Sequence, residues 1–226
     1  MSTLACKNVA YAYEKGKGIL TNISFSFESG KMYAILGPSG SGKTTLLSLL
    51  GGLDTPAKGN ILFDDTDITQ TGLEEHRRNH ISLIFQNYNL IDYMTPIENT
   101  KLVSKVDAVP ILQRLGLTED ELRRTVLKLS GGQQQRVAIA RSLASDAPVI
   151  LADEPTGNLD PETAEYIVRL LKDITLTGTA VIMSTHNIPM LDKFPGIVYR
   201  CHDGSVKDVT SEYNSMDLSE DAQTTD

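Results

Sequence analysis

Positive charge is in short supply in this 226-residue chain: 21 Lys and Arg stand against 29 Asp and Glu, for a formal net charge of −8. A nucleic-acid binder normally presents a basic face, so nucleic acid is not an expected partner. Long apolar runs are missing too. No stretch reaches the roughly 18 consecutive apolar residues that a membrane-spanning helix needs. The N-terminal stretch MSTLACKNVA has no charged segment leading into an apolar core, so no secretory signal is expected. Cysteine is limited to Cys6 and Cys201, far apart and without a Cys-x-x-Cys pair. Both read as reduced, packed thiols of a cytosolic protein, a bridge between them being the less favoured alternative. Repeats of domain scale are absent. Residues 210–226 lack Lys and Arg and carry Glu212, Asp217, Glu220, Asp221 and Asp226, which reads as an acidic, disordered tail.

What remains is the composition of a globular protein, 40% hydrophobic and 22% charged, long enough for one α/β domain or a core with a small insertion. Its most informative stretch is Gly37-Pro38-Ser39-Gly40-Ser41-Gly42-Lys43-Thr44, a complete G-x-x-x-x-G-K-[ST] phosphate-binding loop. Met32-Tyr33-Ala34-Ile35-Leu36 before it reads as a buried strand, and Thr44-Thr45-Leu46-Leu47 after it as a helix start. Glycines let the backbone N–H groups approach phosphate oxygens, and the helix start adds free donors and a positive dipole end. Lys43 supplies a point charge for the β- and γ-phosphates, and the Thr44 hydroxyl can ligate Mg²⁺. A flexible Gly/Ser turn is the competing reading, and the strand–loop–helix context argues against it.

Along the chain, residues 3–36 read as β-rich, with period-two alternation at Val9–Tyr13 and Ile23–Phe27. Further strands are expected at Asn60–Phe63, Ile81–Phe85, Val149–Ala152 and Ala180–Met183, and a helix over about 161–175. Between about 95 and 145 helical periodicity replaces strand signals, which marks a candidate helical insertion. Apolar strands alternating with helices imply a parallel sheet with helices on its faces.

Two further pieces narrow the chemistry. The run Val149-Ile150-Leu151-Ala152-Asp153-Glu154 places Asp153 at a strand's C-terminal end, where it can hold the hydration shell of Mg²⁺. Glu154, one residue on, can polarise an attacking water as general base. The stretch Leu129-Ser130-Gly131-Gly132-Gln133-Gln134-Gln135-Arg136 opens an apolar-periodic helix and forms a second candidate anion site. Alone, it would be no more than a Ser-capped helix start.

Together these pieces resemble the ABC-type ATPases over about residues 3–208. The resemblance implies a P-loop NTPase core of α/β class with an antiparallel β-subdomain, a helical subdomain inserted at about 87–145, and an ATPase domain spanning 1–209. In that family the phosphate loop of one subunit and the signature of its partner close on the same ATP, which implies a homodimer with two ATP·Mg²⁺. Carried over by motif, Ser130, Gly132 and Gln133 contact the partner's nucleotide, and Gly37 through Thr45 bind the triphosphate. Gln86 senses Mg²⁺ beside Thr44 and Asp153. His186, in Ser184-Thr185-His186-Asn187, contacts the γ-phosphate, and Asp160, in Asn158-Leu159-Asp160, belongs to the loop that communicates across the dimer. Tyr13, read as a strand residue, matches the aromatic that stacks on adenine, with Tyr11 as runner-up. His76, His80 and His202 have no motif and are expected at the surface, and no His has metal-ligand spacing with Cys.

Gly52-Leu53-Asp54-Thr55-Pro56, Ile97-Glu98-Asn99 and the run LADEPTGNLD from Leu151 to Asp160 resemble the ATPases of macrolide-export, lipoprotein-release, antimicrobial-peptide-resistance and cell-division systems. Such subunits pair with a separate permease of few transmembrane helices. That implies a cytoplasmic protein, peripheral on the inner face of the membrane, in export or envelope mechanotransmission. The segment between Asn99 and Ile111 is shorter than this subfamily usually has, which bears on permease contact rather than on chemistry. A soluble ABC ATPase is the alternative. It would normally bring a second ATPase domain, a long coiled coil or zinc modules, none of which is written here. A phosphoryl-transfer kinase would leave the Ser130–Gln135 stretch without a role.

Overall fold

The computed structural model describes residues 2–13, 18–104, 106–194 and 196–214. Two sheets organise it. The first is antiparallel and joins β1 (Thr3–Ala12), β2 (Gly18–Glu28), β4 (Lys58–Phe63) and β5 (Thr66–Asp67) in the order β2-β1-β4-β5. The second contains β3 (Met32–Leu36), β6 (Ile81–Ile84), β7 (Val149–Ala152), β8 (Ala180–Thr185), β9 (Ile197–His202) and β10 (Ser205–Asp208), ordered β10-β9-β3-β8-β7-β6. Its pairings are parallel except for the β9–β10 hairpin.

The helices are α1 (Lys43–Leu50), α2 (Ile68–Thr71), α3 (Leu73–Asn79), α4 (Pro96–Lys101), α5 (Ala108–Arg114), α6 (Glu119–Leu122), α7 (Gly131–Ala144), α8 (Pro161–Thr175), α9 (Ile188–Lys193) and α10 (Thr210–Asn214). From Pro96 to Ala144 the described residues form helices and one short 3-10 turn, with no strand, as the periodicity predicts. α8 has the predicted bounds, with Asp160 as N-cap and Pro161 in the first turn.

Every residue of β3, β7 and β8 is buried. A strand covered on both faces reads as a continuous apolar run, which is why these three are legible in sequence. Alternate residues feed two cores. Met32, Ala34 and Leu36 join α7 and α8 on one face, while Tyr33 and Ile35 join α1 and the antiparallel sheet on the other. The parallel arrangement brings the exits of β3, β6, β7 and β8 to one edge, where ligands of open α/β sheets bind.

Three expectations are corrected. Residues 210–214 are not a disordered tail. Asp208 accepts hydrogen bonds from the Thr210 backbone and hydroxyl, Val198 donates to the Thr210 hydroxyl at 3.0 Å, and Arg200 pairs with Glu212 at 2.6 Å. The cation that neutralises this acidic segment comes from β9, outside the window in which composition was read. Residues 215–226 lie outside the described residues.

His76 is not a surface residue but fully buried, and His80 is half-buried. The His76 Nε2 lies 3.0 Å from the Leu50 carbonyl oxygen, which only accepts, so Nε2 carries the proton. The neutral ring's Nδ1 is then the acceptor at 3.2 Å from His80 Nδ1, which donates. The His80 ring stacks on Phe63 at 3.9 Å. The pair thus fastens α3 to the end of α1, the helix that the phosphate loop enters. Tyr13, finally, stands one residue beyond the end of β1 rather than within a strand.

Candidate functional site

The phosphate loop leaves β3 and enters α1 through Gly42, whose φ of 103° a residue with a side chain would adopt only under strain. α1 has no side-chain cap, so its first N–H groups stay available to an anion. Gly37 has a different constraint. A Cβ there would lie 2.3 Å from the Cys201 carbonyl oxygen, so β9 can approach only a glycine. The Cys201 thiol, whose pKa is raised by burial, donates to the Ser41 carbonyl at 3.0 Å and pins the loop from below. The Ser41 hydroxyl is buried with no hydrogen-bond partner among the described residues, a donor and acceptor in want of a ligand.

Lys43 is buried and curls back onto the loop, donating to the carbonyls of Gly37 at 2.8 Å and Pro38 at 3.1 Å. Its third neighbour is Glu154 Oε1 at 3.4 Å. The other carboxylate oxygen of Glu154 is 2.9 Å from His186 Nδ1. Lys43, Glu154 and His186, placed by three different strand exits, therefore form one continuous polar cluster. Glu154 holds φ at +46°, left-handed for a residue with a side chain, which costs on the order of 1 kcal/mol and is typical of functional sites.

Asp153 accepts from the Thr44 hydroxyl at 3.2 Å and from the Ser184 hydroxyl at 2.7 Å. Ser184 also receives the Glu154 backbone N–H at 2.9 Å. β8 lies between β3 and β7, so a hydroxyl from the intervening strand sets the stance of both carboxylates. No motif marks Ser184 in the sequence. Its signal was its place two residues before His186. Gln86 leaves β6 beside Gly157, close enough that a Cβ on that glycine would sit 3.1 Å from the Gln86 amide nitrogen. Thr44 and Asp153, with Gln86 at the adjacent strand exit, make an oxygen-rich corner of the kind hard divalent cations take.

Tyr11 and Tyr13 divide cleanly. Tyr11 is packed in the core and donates its hydroxyl to Asp54, which moves its pKa up to about 12. Tyr13 is 68% exposed and its hydroxyl is 3.1 Å from that of Thr45. Tyr13 also borders a cavity of about 590 Å³ that Ile19, residues 38–41 and the turn at His202–Gly204 complete.

The signature residues keep different company. Ser130 caps α7 by accepting from Gln133 N at 3.3 Å, while Gln133 Oε1 accepts from Ser130 N at 2.7 Å, a capping box that contributes about 1 kcal/mol to the helix start. Gln133 also donates to Glu121. Gly132 faces Thr163, and a Cβ there would meet the Thr163 methyl at 2.6 Å. Asp160 caps α8 through Thr163 N at 3.0 Å, which holds its carboxyl below the usual range. The hydrogen bonds of Ser130 and Gln133 thus run within the helical segment and not to the phosphate loop.

The model of the ABC transporter family matches residues 20–157. The ABC transporter ATP-binding protein YclH of Bacillus subtilis is 44% identical over 199 residues, covering 83% of this chain and 88% of that one. The lipoprotein-releasing system ATP-binding protein LolD of Idiomarina loihiensis is 37% identical, covering 85% and 90%. Among solved structures, the dimeric MJ0796 cassette of Methanocaldococcus jannaschii shares 36% identity and a TM-score of 0.80, covering 90% of this chain and 96% of that one. The same cassette has been solved as a dimer in a post-hydrolysis state bound to ADP and Pi, at 35% identity and a TM-score of 0.80. Likeness of this extent, over most of each chain's length, settles the family: the chain belongs to the ABC transporter family, as an ATP-hydrolysing, ATP-binding subunit of the group that includes the lipoprotein-release ATPases.

Proposed function

We propose that two copies of this chain sandwich two ATP·Mg²⁺ and drive a separate membrane permease of few transmembrane helices, in export or envelope mechanotransmission. The observation that carries the reading is the division between two anion-binding helix starts. The uncapped start of α1 gathers Lys43, Glu154 and His186, whereas the Ser130 start of α7 is exposed and bonds only within its own segment. Each is half a site, and a second copy supplies the missing half. The dimeric state of the MJ0796 cassette and the lipoprotein-releasing assignment of LolD support this assembly.

Within it, the N–H groups of Gly40 to Thr45 and the Lys43 ammonium bind the triphosphate. Glu154 orients or deprotonates the attacking water, and His186, hydrogen-bonded to Glu154, meets the γ-phosphate. Ser130, Gly132 and Gln133 of the second copy close over the same oxygens. Asp160, at the turn into α8, belongs to the contact between copies. Thr44, Asp153 and Gln86 would hold Mg²⁺, which would supply neutralising charge to the phosphate oxygens. Tyr13 stacks on adenine. Residues 1–209 act as one ATPase domain, and the helical stretch of about 87–145 faces the permease.

Among the described residues no helix is long and apolar enough to cross a membrane, so attachment at the inner face of the membrane falls to the permease. Affinity isolation from detergent-solubilised membranes tests the assignment. A partner with long apolar spans, raising ATP turnover when reconstituted, is the expected result. A chain that stays free of membrane protein and turns over fully alone is a soluble ABC ATPase.

A further inference from the structure

The cavity beside the phosphate loop has one side that none of the motifs explains. β9 and β10 are joined by Asp203 and Gly204, with φ of 47° and 71°, and His202 pairs with Ser205 across them. This is a two-residue hairpin turn of the mirror-image type, whose Asp-Gly sequence suits the required positive φ values. The turn is held firmly. Thr21 N donates to the Gly204 carbonyl at 2.7 Å, and a Cβ on Gly204 would come within 3.1 Å of the Ile19 carbonyl oxygen. The Ser205 hydroxyl donates to the His202 carbonyl at 2.8 Å. His202 and Asp203, paired at 3.1 Å between Nδ1 and Oδ2, thus border the cavity opposite Tyr13 and Ile19 on a rigid support.

We propose that His202 and Asp203 are specificity-determining residues that contact the nucleoside half of the bound nucleotide. The inference rests on reading the loop as a nucleoside triphosphate site. Charge decides which half they meet. A carboxylate facing the triphosphate would be repelled by it, whereas at the nucleoside end it finds uncharged donors and no like charge. Asp203 therefore accepts a hydrogen bond from a nucleoside donor, either a ribose hydroxyl or the exocyclic amine of adenine. His202 holds the carboxylate in place and covers the edge of the base that Tyr13 stacks. Asp203 is exposed in the chain without nucleotide, so an analogue that lacks the donor loses the worth of one charge-assisted hydrogen bond rather than leaving a buried acceptor unpaired.

Steady-state turnover and calorimetric binding by the full chain, with ATP, 2′-deoxy-ATP and inosine triphosphate, test this. Asp203→Asn is the main variant because Asn tolerates positive φ and preserves the turn, and His202→Ala is the second. Wild type should prefer ATP over one of the two analogues. Both variants should raise the KM and Kd for ATP, Asp203→Asn by about tenfold, with the change falling on KM rather than kcat, and the preference should collapse for that analogue. Loss of preference over 2′-deoxy-ATP identifies the ribose, and over inosine triphosphate the amine. If both variants keep the wild-type KM, Kd and both preferences, the proposal is overturned. Absence of ATP binding by the wild type would instead overturn the nucleotide reading itself.

Discussion

Lys43 Nζ stands 3.4 Å from Glu154 Oε1, and both side chains are largely withdrawn from solvent, at 7% and 14% exposure. The two charges neutralise each other, and under the proposed roles, Lys43 for the β- and γ-phosphates and Glu154 for the attacking water, an arriving triphosphate would compete with Glu154 for Lys43. Lys43→Ala should therefore abolish ATPase activity and weaken nucleotide binding, measured by turnover and by calorimetry. Wild-type turnover in that variant would remove the phosphate loop from the mechanism.

Glu154→Gln keeps the shape of the side chain and removes its basicity. Turnover should fall about 10²–10⁴-fold, while ATP binding persists or tightens, since Lys43 is no longer claimed by a carboxylate. On size exclusion with ATP the variant should elute as a trapped dimer. Normal hydrolysis would show that another group activates the water.

The two tyrosines should separate by phenotype. Tyr13→Ala should raise the KM for ATP and leave kcat nearly unchanged, because stacking on the base is uniform binding. Tyr11→Phe loses the part-buried hydrogen bond to Asp54, and should lower stability by about 1 kcal/mol without changing KM. Denaturant titration beside Michaelis curves distinguishes them, and the opposite assignment of effects would place the stacking residue at Tyr11.

Histidine 76 makes the fold sensitive to acid. Burial lowers its pKa from 6.5, with the neighbouring His80 and Arg77 acting in the same direction and the Leu50 carbonyl opposing. The unfolded chain therefore takes up a proton near the ordinary value while the folded chain does not, so stability rises with pH through that window and falls as pH drops below about 6.5. Denaturant midpoints of wild type should drop between pH 7.5 and 5.5 by more than those of His76→Gln, which can still donate to Leu50. Equal drops would mean that His76 does not carry the acid response.

How far these features could be read in advance depended on where their causes lie in the chain. β3, β7 and β8 are covered on both faces, so their apolar runs announce them. The phosphate loop, Asp153, Glu154, Ser130 and His186 sit at strand exits or helix starts, which local sequence marks. The burial of His76 could not be read in the same way. Its own helix, Leu73–Asn79, is rich in Glu and Arg, and the groups that enclose the ring, Leu50 and Phe63, come from α1 and β4. Glu212 reads as part of a solvated acidic stretch because its partner Arg200 lies on β9, outside that stretch. The hairpin at Asp203-Gly204 was missed although its signal was present: an Asp-Gly pair between Val198, Cys201 and Val206 is a strong local turn signature.

Site sharing between copies is the centre of the account, and one mixture tests it. Ser130→Arg puts a bulky cation where a small capping residue must meet the partner's γ-phosphate, so alone it should bind nucleotide, stay folded and fail to turn over. Lys43→Ala alone should also be inactive. A dimer of one copy each has one site with both defects and one with neither, so mixing the two inactive proteins should restore part of the wild-type ATPase rate. Hydrolysis at the wild-type rate by Ser130→Arg alone, as a monomer, would contradict the shared site.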